Sequence, residues 1–299
     1  MRTRFAPDRG LTSRMLVTMF LLGLLYVVFV GALVALGVRA PTVLLIAVGL
    51  LLAQYFLSDR IALYGMGGRE VSPAEAPELH GMVDRLCAMA DMPKPRVAIA
   101  DSDVPNAFAT GRNQKKSVVC VTTGILRRLE PRELEGVLAH ELSHVAHRDV
   151  AVMTIASFLG VIAGLMTRAA LYTGLGGRRS NGQGGVPIGL VIMLVSVLVY
   201  AVSFLLTRAL SRYRELAADR AGALLTQRPS ALASALVKIS GEMARIPTRD
   251  LREAEPFNAF YFAPALASGS GLAGLFSTHP PLERRLQQLA AISAQLGTG

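Results

Sequence analysis

Four long apolar runs constrain the fold of this chain more than any other feature. They cover residues 15–38, 41–57, 150–167 and 186–207. A helix that crosses a bilayer needs roughly 17 to 25 mostly apolar residues, and its backbone groups must bond to one another because lipid offers them no partner. The sequence therefore predicts a mainly α integral membrane protein with four transmembrane helices. The third run is short, so a helix that lies on the membrane or packs inside the soluble part is the alternative for it.

Composition and charge agree with a membrane protein. Hydrophobic residues make up 52% of the 299 residues, and the formal net charge is +10. Four arginines precede the first run, against Arg39 alone in the first hairpin turn, which predicts a cytoplasmic N-terminus. An even number of spans then places residues 58–149 and 208–299 in the cytoplasm too, although Arg178 and Arg179 in the second turn oppose this orientation. No pattern of basic and aromatic residues indicates a nucleic-acid partner.

The string HELSH at residues 140–144 predicts a metal site. Residues four apart on an α-helix share a face, so the rings of His140 and His144 can reach one Zn²⁺. Glu141 is rotated by about 60–100° from both rings. This places it beside the metal position, where a general base for a metal-activated water belongs. The alternative is a buried helix that carries two histidines and a glutamate by chance.

The flanking sequence predicts one long helix around this string. Pro131 suits a first helical turn, and neither Gly nor Pro occurs between His144 and Met153. We therefore expect the helix to run unbroken into the third apolar run. The fourth run likewise continues without Gly or Pro as far as Ala221, so the metal site is expected close to the bilayer surface.

The region between the second run and HELSH is predicted to contain an amphipathic helix at 73–90 and a small sheet. Its strands are expected at 96–100 and 117–122, where β-branched residues concentrate. Cys87 and Cys120 lie in this region and are predicted to be reduced, buried thiols, since it is expected to be cytoplasmic.

Catalytic zinc commonly takes three protein ligands, so a third one is needed. His147 lies about 10 Å along a straight helix from His140 and is not expected to converge on the same metal. Glu215 and Asp219 share a helix face beyond the fourth run; one could bind zinc while the other holds a ligand histidine through its second ring nitrogen. The alternative is a solvated face on which these carboxylates pair with neighbouring arginines, at positions 212, 214 and 220.

Several longer motifs resemble the HtpX family of bacterial membrane zinc metalloproteases, relatives of the CAAX prenyl endopeptidases. The motifs are HELSHVAHRD, SRYRELAADRAGA, PNAFATG, VTTGIL and STHPPLERRL, which occur in the family's order. The resemblance implies a gluzincin-like zinc-peptidase domain with one Zn²⁺ per chain. It also implies His140, His144 and Glu215 as ligands and Glu141 as the catalytic base.

Further roles follow from the same resemblance. Asp219 and Arg285 are expected to support the ligands from behind, and His279 to donate to the oxyanion or to approach the metal as a gate. An ordinary structural histidine is the alternative for His279. The residues Asn106, Ala107, Phe108 and Ala109 resemble an edge strand beside the cleft, where a substrate could pair by strand addition.

The chain is accordingly divided into four parts. They are a transmembrane hairpin at 1–57, a first peptidase part at 58–149, a second hairpin at 150–207 and a second peptidase part at 208–299. The expected location is the bacterial cytoplasmic (inner) membrane, with both termini and the active site on the cytoplasmic side.

The expected activity is zinc-dependent cleavage of misfolded or misassembled membrane proteins, as part of quality control and the stress response. The expected partners are polypeptide substrates, the lipid bilayer and other membrane quality-control proteases. The alternatives are processing of prenylated CAAX peptides and a non-catalytic membrane scaffold with structural zinc. An open set of three ligands beside Glu141 argues against the scaffold, because structural zinc sites usually have four protein ligands.

Overall fold

A computed structural model describes residues 9–35, 66–111, 113–149, 188–243 and 279–297, with isolated residues between 45 and 63 and between 152 and 167. The helices in these ranges are α1 (Arg9–Ala35), α2 (Pro77–Ala90), α3 (Thr123–Arg128), α4 (Pro131–Ala146), α5 (Ile188–Thr226), α6 (Pro229–Met243) and α7 (Leu282–Leu296). The strands are β1 (Gly68–Glu70), β2 (Arg96–Ala100), β3 (Ala107–Thr110) and β4 (Val118–Thr122). The fold is mainly helical with a small sheet, as predicted.

The four strands form one mixed sheet in the order β1-β2-β4-β3. Strand β4 pairs in parallel with β2 and antiparallel with β3, and all five of its residues are buried. Its Val-rich sequence suits this position, since strands covered on both faces need apolar side chains throughout. Strand β3 is left at the edge, so the NAFA motif lies where the family resemblance places it.

Helix α4 runs through the centre of the main core. Its N-terminus is fixed by Pro131 in the first turn and by a hydrogen bond from the Glu130 amide to the Glu133 carboxylate at 2.9 Å. Leu138 and Leu142 are fully buried. They belong to an apolar cluster that also includes residues of α2, β4, α5, α6 and α7. The helix that carries HELSH is therefore held on several sides at once.

Helices α1 and α5 carry the two apolar segments of this structure that are long enough to cross a membrane, Thr12–Ala35 and Gly189–Thr226. Only 22% and 17% of their most apolar windows are buried. A core helix of a soluble protein would be mostly buried, whereas here Phe20, Val27 and Leu198 are each at least 65% exposed. These helices present the lipid-facing surface expected of the first and fourth apolar runs.

The second apolar run, and much of the third, lie outside the described residues. Where the third run is described, its side chains pack between α1 and α5. Ile162 and Ala163 lie in one cluster with Phe29 of α1 and Val199 of α5.

The prediction that the HELSH helix runs unbroken to Met153 is wrong. Helix α4 ends at Ala146, and Arg148 adopts a left-handed backbone with φ of 57°. Other donors satisfy the last carbonyl groups: the Gln114 side chain donates to Ala146 O at 3.0 Å, and the His147 ring donates to Ser143 O at 2.7 Å. The Ser143 carbonyl also keeps its helical bond from the His147 amide at 2.9 Å, whereas the Arg148 amide bonds to Val145 O, three residues back, at 3.2 Å. The helical pattern therefore ends here although no Gly or Pro is present. Helix α5, in contrast, continues unbroken as predicted.

Candidate metal centre

Three side chains from α4 and α5 bring their donor atoms together. The nearest nitrogen and oxygen atoms of His140, His144 and Glu215 all lie within 4.8 Å of one another. Nε2 of His144 lies 3.1 Å from Nε2 of His140 and 3.3 Å from Oε1 of Glu215. Tetrahedral ligands at about 2.0–2.1 Å from zinc lie roughly 3.3 Å apart, so these separations suit one ion.

The tautomers of the two histidines support the same conclusion. Each Nδ1 faces a carboxylate, with Asp219 at 2.9 Å from His140 and Asp149 at 2.5 Å from His144. Since a carboxylate only accepts hydrogen bonds, each Nδ1 carries the proton, and each Nε2 presents a lone pair. Burial also lowers the pKa of His140, which favours its neutral form. Two lone pairs that face each other beside a carboxylate form a donor set suited to a cation.

The first of these supporting carboxylates is itself held by an arginine. Asp219 is fully buried and accepts two hydrogen bonds from Arg285, both at 2.7 Å. Glu215 is 8% exposed, so the interpretation of 215–219 as a solvated face is wrong. Helix α5 instead supplies a candidate ligand at Glu215 and, one turn later, the support for His140.

A second support, for His144, was missed at the level of sequence. Asp149 is 6% exposed and lies just beyond the end of α4. Its backbone carbonyl accepts a hydrogen bond from Arg214 at 2.6 Å, and the same guanidinium pairs with its carboxylate. The sequence indicates for Arg214 only an ion pair on its own helix face. On a straight helix Asp149 would lie too far from His144 for contact. Only the turn at Arg148 brings the two side chains together.

Glu141 lies beside the donor cluster and is 5% exposed. Burial raises the pKa of Glu141 to about 7. A hydrogen bond between its carboxylate and the backbone of Ala109 partly opposes the shift. A carboxyl group whose pKa is close to neutral suits a proton acceptor that works at physiological pH. The contact also joins the catalytic candidate directly to the edge strand β3.

The remaining histidines near α4 have different surroundings. Nδ1 of His279 lies 2.9 Å from Oε2 of Glu215, so this residue contacts a candidate ligand from the N-terminal side of α7. His147 is not part of the donor cluster found among the described residues. His80, buried on α2, pairs through Nε2 with the carbonyl of Val71 at 3.0 Å, in agreement with a structural role.

The net charge of the buried groups is compatible with a bound divalent cation. Four carboxyl groups and two guanidinium groups are buried around the cluster: Glu141, Asp149, Glu215 and Asp219, and Arg214 and Arg285. With neutral imidazoles, the surplus is one negative charge when Glu141 is protonated and two when it is ionised. Uncompensated charge is costly in a low-dielectric interior, so a divalent ion fits this residue set both by donor atoms and by charge.

Comparison with known proteins gives a consistent result. Residues 73–293 match peptidase family M48. The chain is 65% identical to a protein from Streptomyces coelicolor named Protease HtpX homolog 1, over 99% of this chain and 97% of that protein. It is 52% identical to Protease HtpX homolog from Moorella thermoacetica, over 99% of both chains.

The fold is also similar to that of a solved structure. The crystal structure of S. mikatae Ste24p aligns with a TM-score of 0.57 at 18% identity, covering 94% of this chain and 67% of that chain. At this identity the likeness concerns the fold alone.

Proposed function

Because the chain belongs to peptidase family M48, in the HtpX family of zinc metalloproteases, and is therefore a membrane-associated metalloendopeptidase, we propose a more specific function for it. It is a zinc-dependent enzyme of the bacterial cytoplasmic membrane that cleaves misfolded or misassembled membrane proteins near the cytoplasmic face. One observation carries the proposal: His140, His144 and Glu215 form a set of donors beside Glu141, and an aspartate holds each of the two histidines.

The proposed chemistry assigns a separate task to each side chain. His140, His144 and Glu215 hold Zn²⁺, which when bound polarises the scissile carbonyl and acidifies the attacking water. Glu141 accepts the proton of that water and later passes it to the leaving amine. Nδ1 of His279 donates to Glu215, so His279 is proposed to donate to the oxyanion from Nε2, as an imidazolium with both nitrogens protonated.

Strand β3 is proposed to bind the substrate backbone. The Thr122 amide at the end of β4 donates to the Asn106 carbonyl at 2.9 Å, so in the antiparallel register Asn106, Phe108 and Thr110 are the positions that bond to β4. Because backbone groups alternate in direction along a strand, those of Ala107 and Ala109 point away from β4. The contact of the Ala109 backbone with Glu141 agrees with this direction. An extended substrate that pairs with this edge would run past the catalytic carboxylate.

The proposed arrangement in the membrane keeps the four predicted parts, 1–57, 58–149, 150–207 and 208–299. The exposed apolar surfaces of α1 and α5 support two of the four spans. Glu215 follows the end of the fourth apolar run by eight residues, or about 12 Å along the helix. A cleft at this height is close enough to the bilayer to meet loops and unfolded ends of membrane proteins. The arginines before the first span favour a cytoplasmic position for it.

The experiment compares the full chain in detergent with two variants, using a model membrane protein as substrate. We expect chelator-sensitive cleavage by the wild type, no cleavage by Glu141→Gln despite normal zinc content, and loss of zinc from Glu215→Ala. Equal cleavage by the wild type and zinc-loaded Glu141→Gln would refute the protease mechanism. Full zinc occupancy in Glu215→Ala would refute the third ligand.

The same preparations separate the alternatives. A prenylated CAAX peptide offered in place of the membrane protein tests the processing activity, and preferential cleavage of it would overturn the proposed substrate class. Zinc retained without any cleavage by the wild type would favour the scaffold.

A further inference from the structure

The turn after α4 has a consequence for the orientation of His144. On a continuing α-helix, Asp149 would lie about 140° around the axis and about 7.5 Å further along than His144, out of reach of its ring. The left-handed backbone of Arg148 interrupts this helical path instead. As a result the Asp149 carboxylate lies 2.5 Å from Nδ1 of His144, five residues earlier.

Arg214 holds this carboxylate in place. It is 5% exposed and contacts both the backbone carbonyl and the side chain of Asp149. A guanidinium group that binds two atoms of one residue fixes its direction as well as its distance. Arg214 also directly precedes Glu215. Two consecutive residues of α5 therefore have related roles. Glu215 is a candidate ligand, and Arg214 restrains Asp149, which contacts the candidate ligand His144.

The arrangement repeats the one behind the other histidine. In both cases a buried arginine binds an aspartate, and the aspartate accepts the Nδ1 proton of a ligand histidine. The arginines come from different elements, Arg214 from α5 and Arg285 from α7. Both ligand imidazoles are thus fixed in tautomer and in ring orientation by groups that do not touch the metal.

We propose that Arg214 and Asp149 are positioning residues that set the metal affinity of His144 through this chain of hydrogen bonds. The inference rests on the proposed zinc site. Without Asp149, nothing fixes the proton on Nδ1, and the ring of His144 is free to adopt the tautomer in which Nε2 carries the proton and offers no lone pair. Partners of this kind typically change metal affinity by about 10–100-fold when mutated.

The test measures zinc affinity of the full chain in detergent by competition with a chelating dye. We expect Asp149→Asn and Arg214→Gln each to weaken binding by about 10–100-fold. Arg214→Lys, which keeps the charge and one donor, should lose less than Arg214→Gln. The double variant Asp149→Asn/Arg214→Gln leaves no unpaired buried charge, and its loss should be well below the product of the single losses because both substitutions break one chain.

Two controls make the outcomes distinct. Glu242→Gln removes the partner of Arg128, a half-buried ion pair away from the donor cluster, and should leave zinc affinity unchanged. Thermal unfolding of the metal-free proteins measures any purely structural role of Asp149. If Asp149→Asn lowers only that unfolding temperature and binds zinc within about twofold of the wild type, the inference is overturned while the proposed function stands. Multiplicative losses in the double variant would also overturn it. A wild type that binds no zinc would overturn the proposed function and this inference together.

Discussion

Gly222→Ala tests the packing that brings α4 and α5 together. An added Cβ at this position would lie 2.9 Å from the amide nitrogen of His140 and 3.2 Å from its Cα. Carbon atoms in normal contact are about 3.5–4.0 Å apart, so the two helices would have to separate by roughly 0.5–1 Å. The obstructing atoms are helix backbone, which cannot rotate away. Overpacking of this kind typically costs about 1–3 kcal/mol of unfolding free energy.

The separation would act directly on the metal centre. Asp219 precedes Gly222 by three residues, or about 4.5 Å along the helix, so its bond to His140 would lengthen by a similar amount. That bond is now 2.9 Å, and a shift of this size takes it beyond the usual range of about 3.2 Å. Metal ligands tolerate only about ±0.2 Å. We therefore expect zinc affinity to fall together with stability.

The assay is denaturant unfolding and zinc content of the full chain in detergent, with Gly241→Ala as the matched control. Gly241 lies in α6, and a Cβ added there meets nothing within 4 Å. This control should be neutral or stabilise the protein by up to about 1 kcal/mol, because Ala favours a helix more than Gly does. Wild-type stability and zinc content in Gly222→Ala would refute the reasoning.

Three further predictions concern groups around the core. Arg285→Met should destabilise the protein by about 3–5 kcal/mol, because it leaves Asp219 buried without its charge partner; a loss below about 1 kcal/mol in urea unfolding would contradict this. Burial alone would raise the pKa of Glu133, but a hydrogen bond from Lys238 holds this pKa below its usual value. Its contribution to stability is present above the pKa in the unfolded chain, about 4.3, and is lost as the pH falls through the lower folded value. Glu133→Gln should thus flatten the acid limb of the stability curve, and an unchanged slope would count against it. Burial raises the pKa of the Cys87 thiol to about 11 and that of Cys120 to about 12, so both should resist iodoacetamide at neutral pH until the protein is unfolded; rapid labelling of the native protein would show the core to be open.

The local features of this chain could be predicted from sequence because they depend on neighbouring residues. Strand β2 lies at 96–100 as predicted, and β4, expected at 117–122, begins one residue later at Val118. The helix expected over 73–90 begins later, at Pro77. The spacing in HELSH placed both rings on one face, and the family resemblance supplied Glu215 and the pairing of Arg285 with the acidic helix. Each of these depends on helical periodicity, first-turn chemistry or a motif several residues long.

The tertiary structure decided where the HELSH helix ends and which side chains orient the candidate ligand His144. No Gly or Pro marks the turn at Arg148, where the Gln114 side chain and the His147 ring donate to the last carbonyl groups of the helix. Asp149 and Arg214 are separated by 65 residues, and their pairing follows from the close approach of α4 and α5. The sequence alone determined that two imidazoles and a glutamate share a helix. Only the packing of α5 against that helix determined that Asp149 and Arg214 fix the imidazole of His144, because such contacts join residues that no local pattern relates.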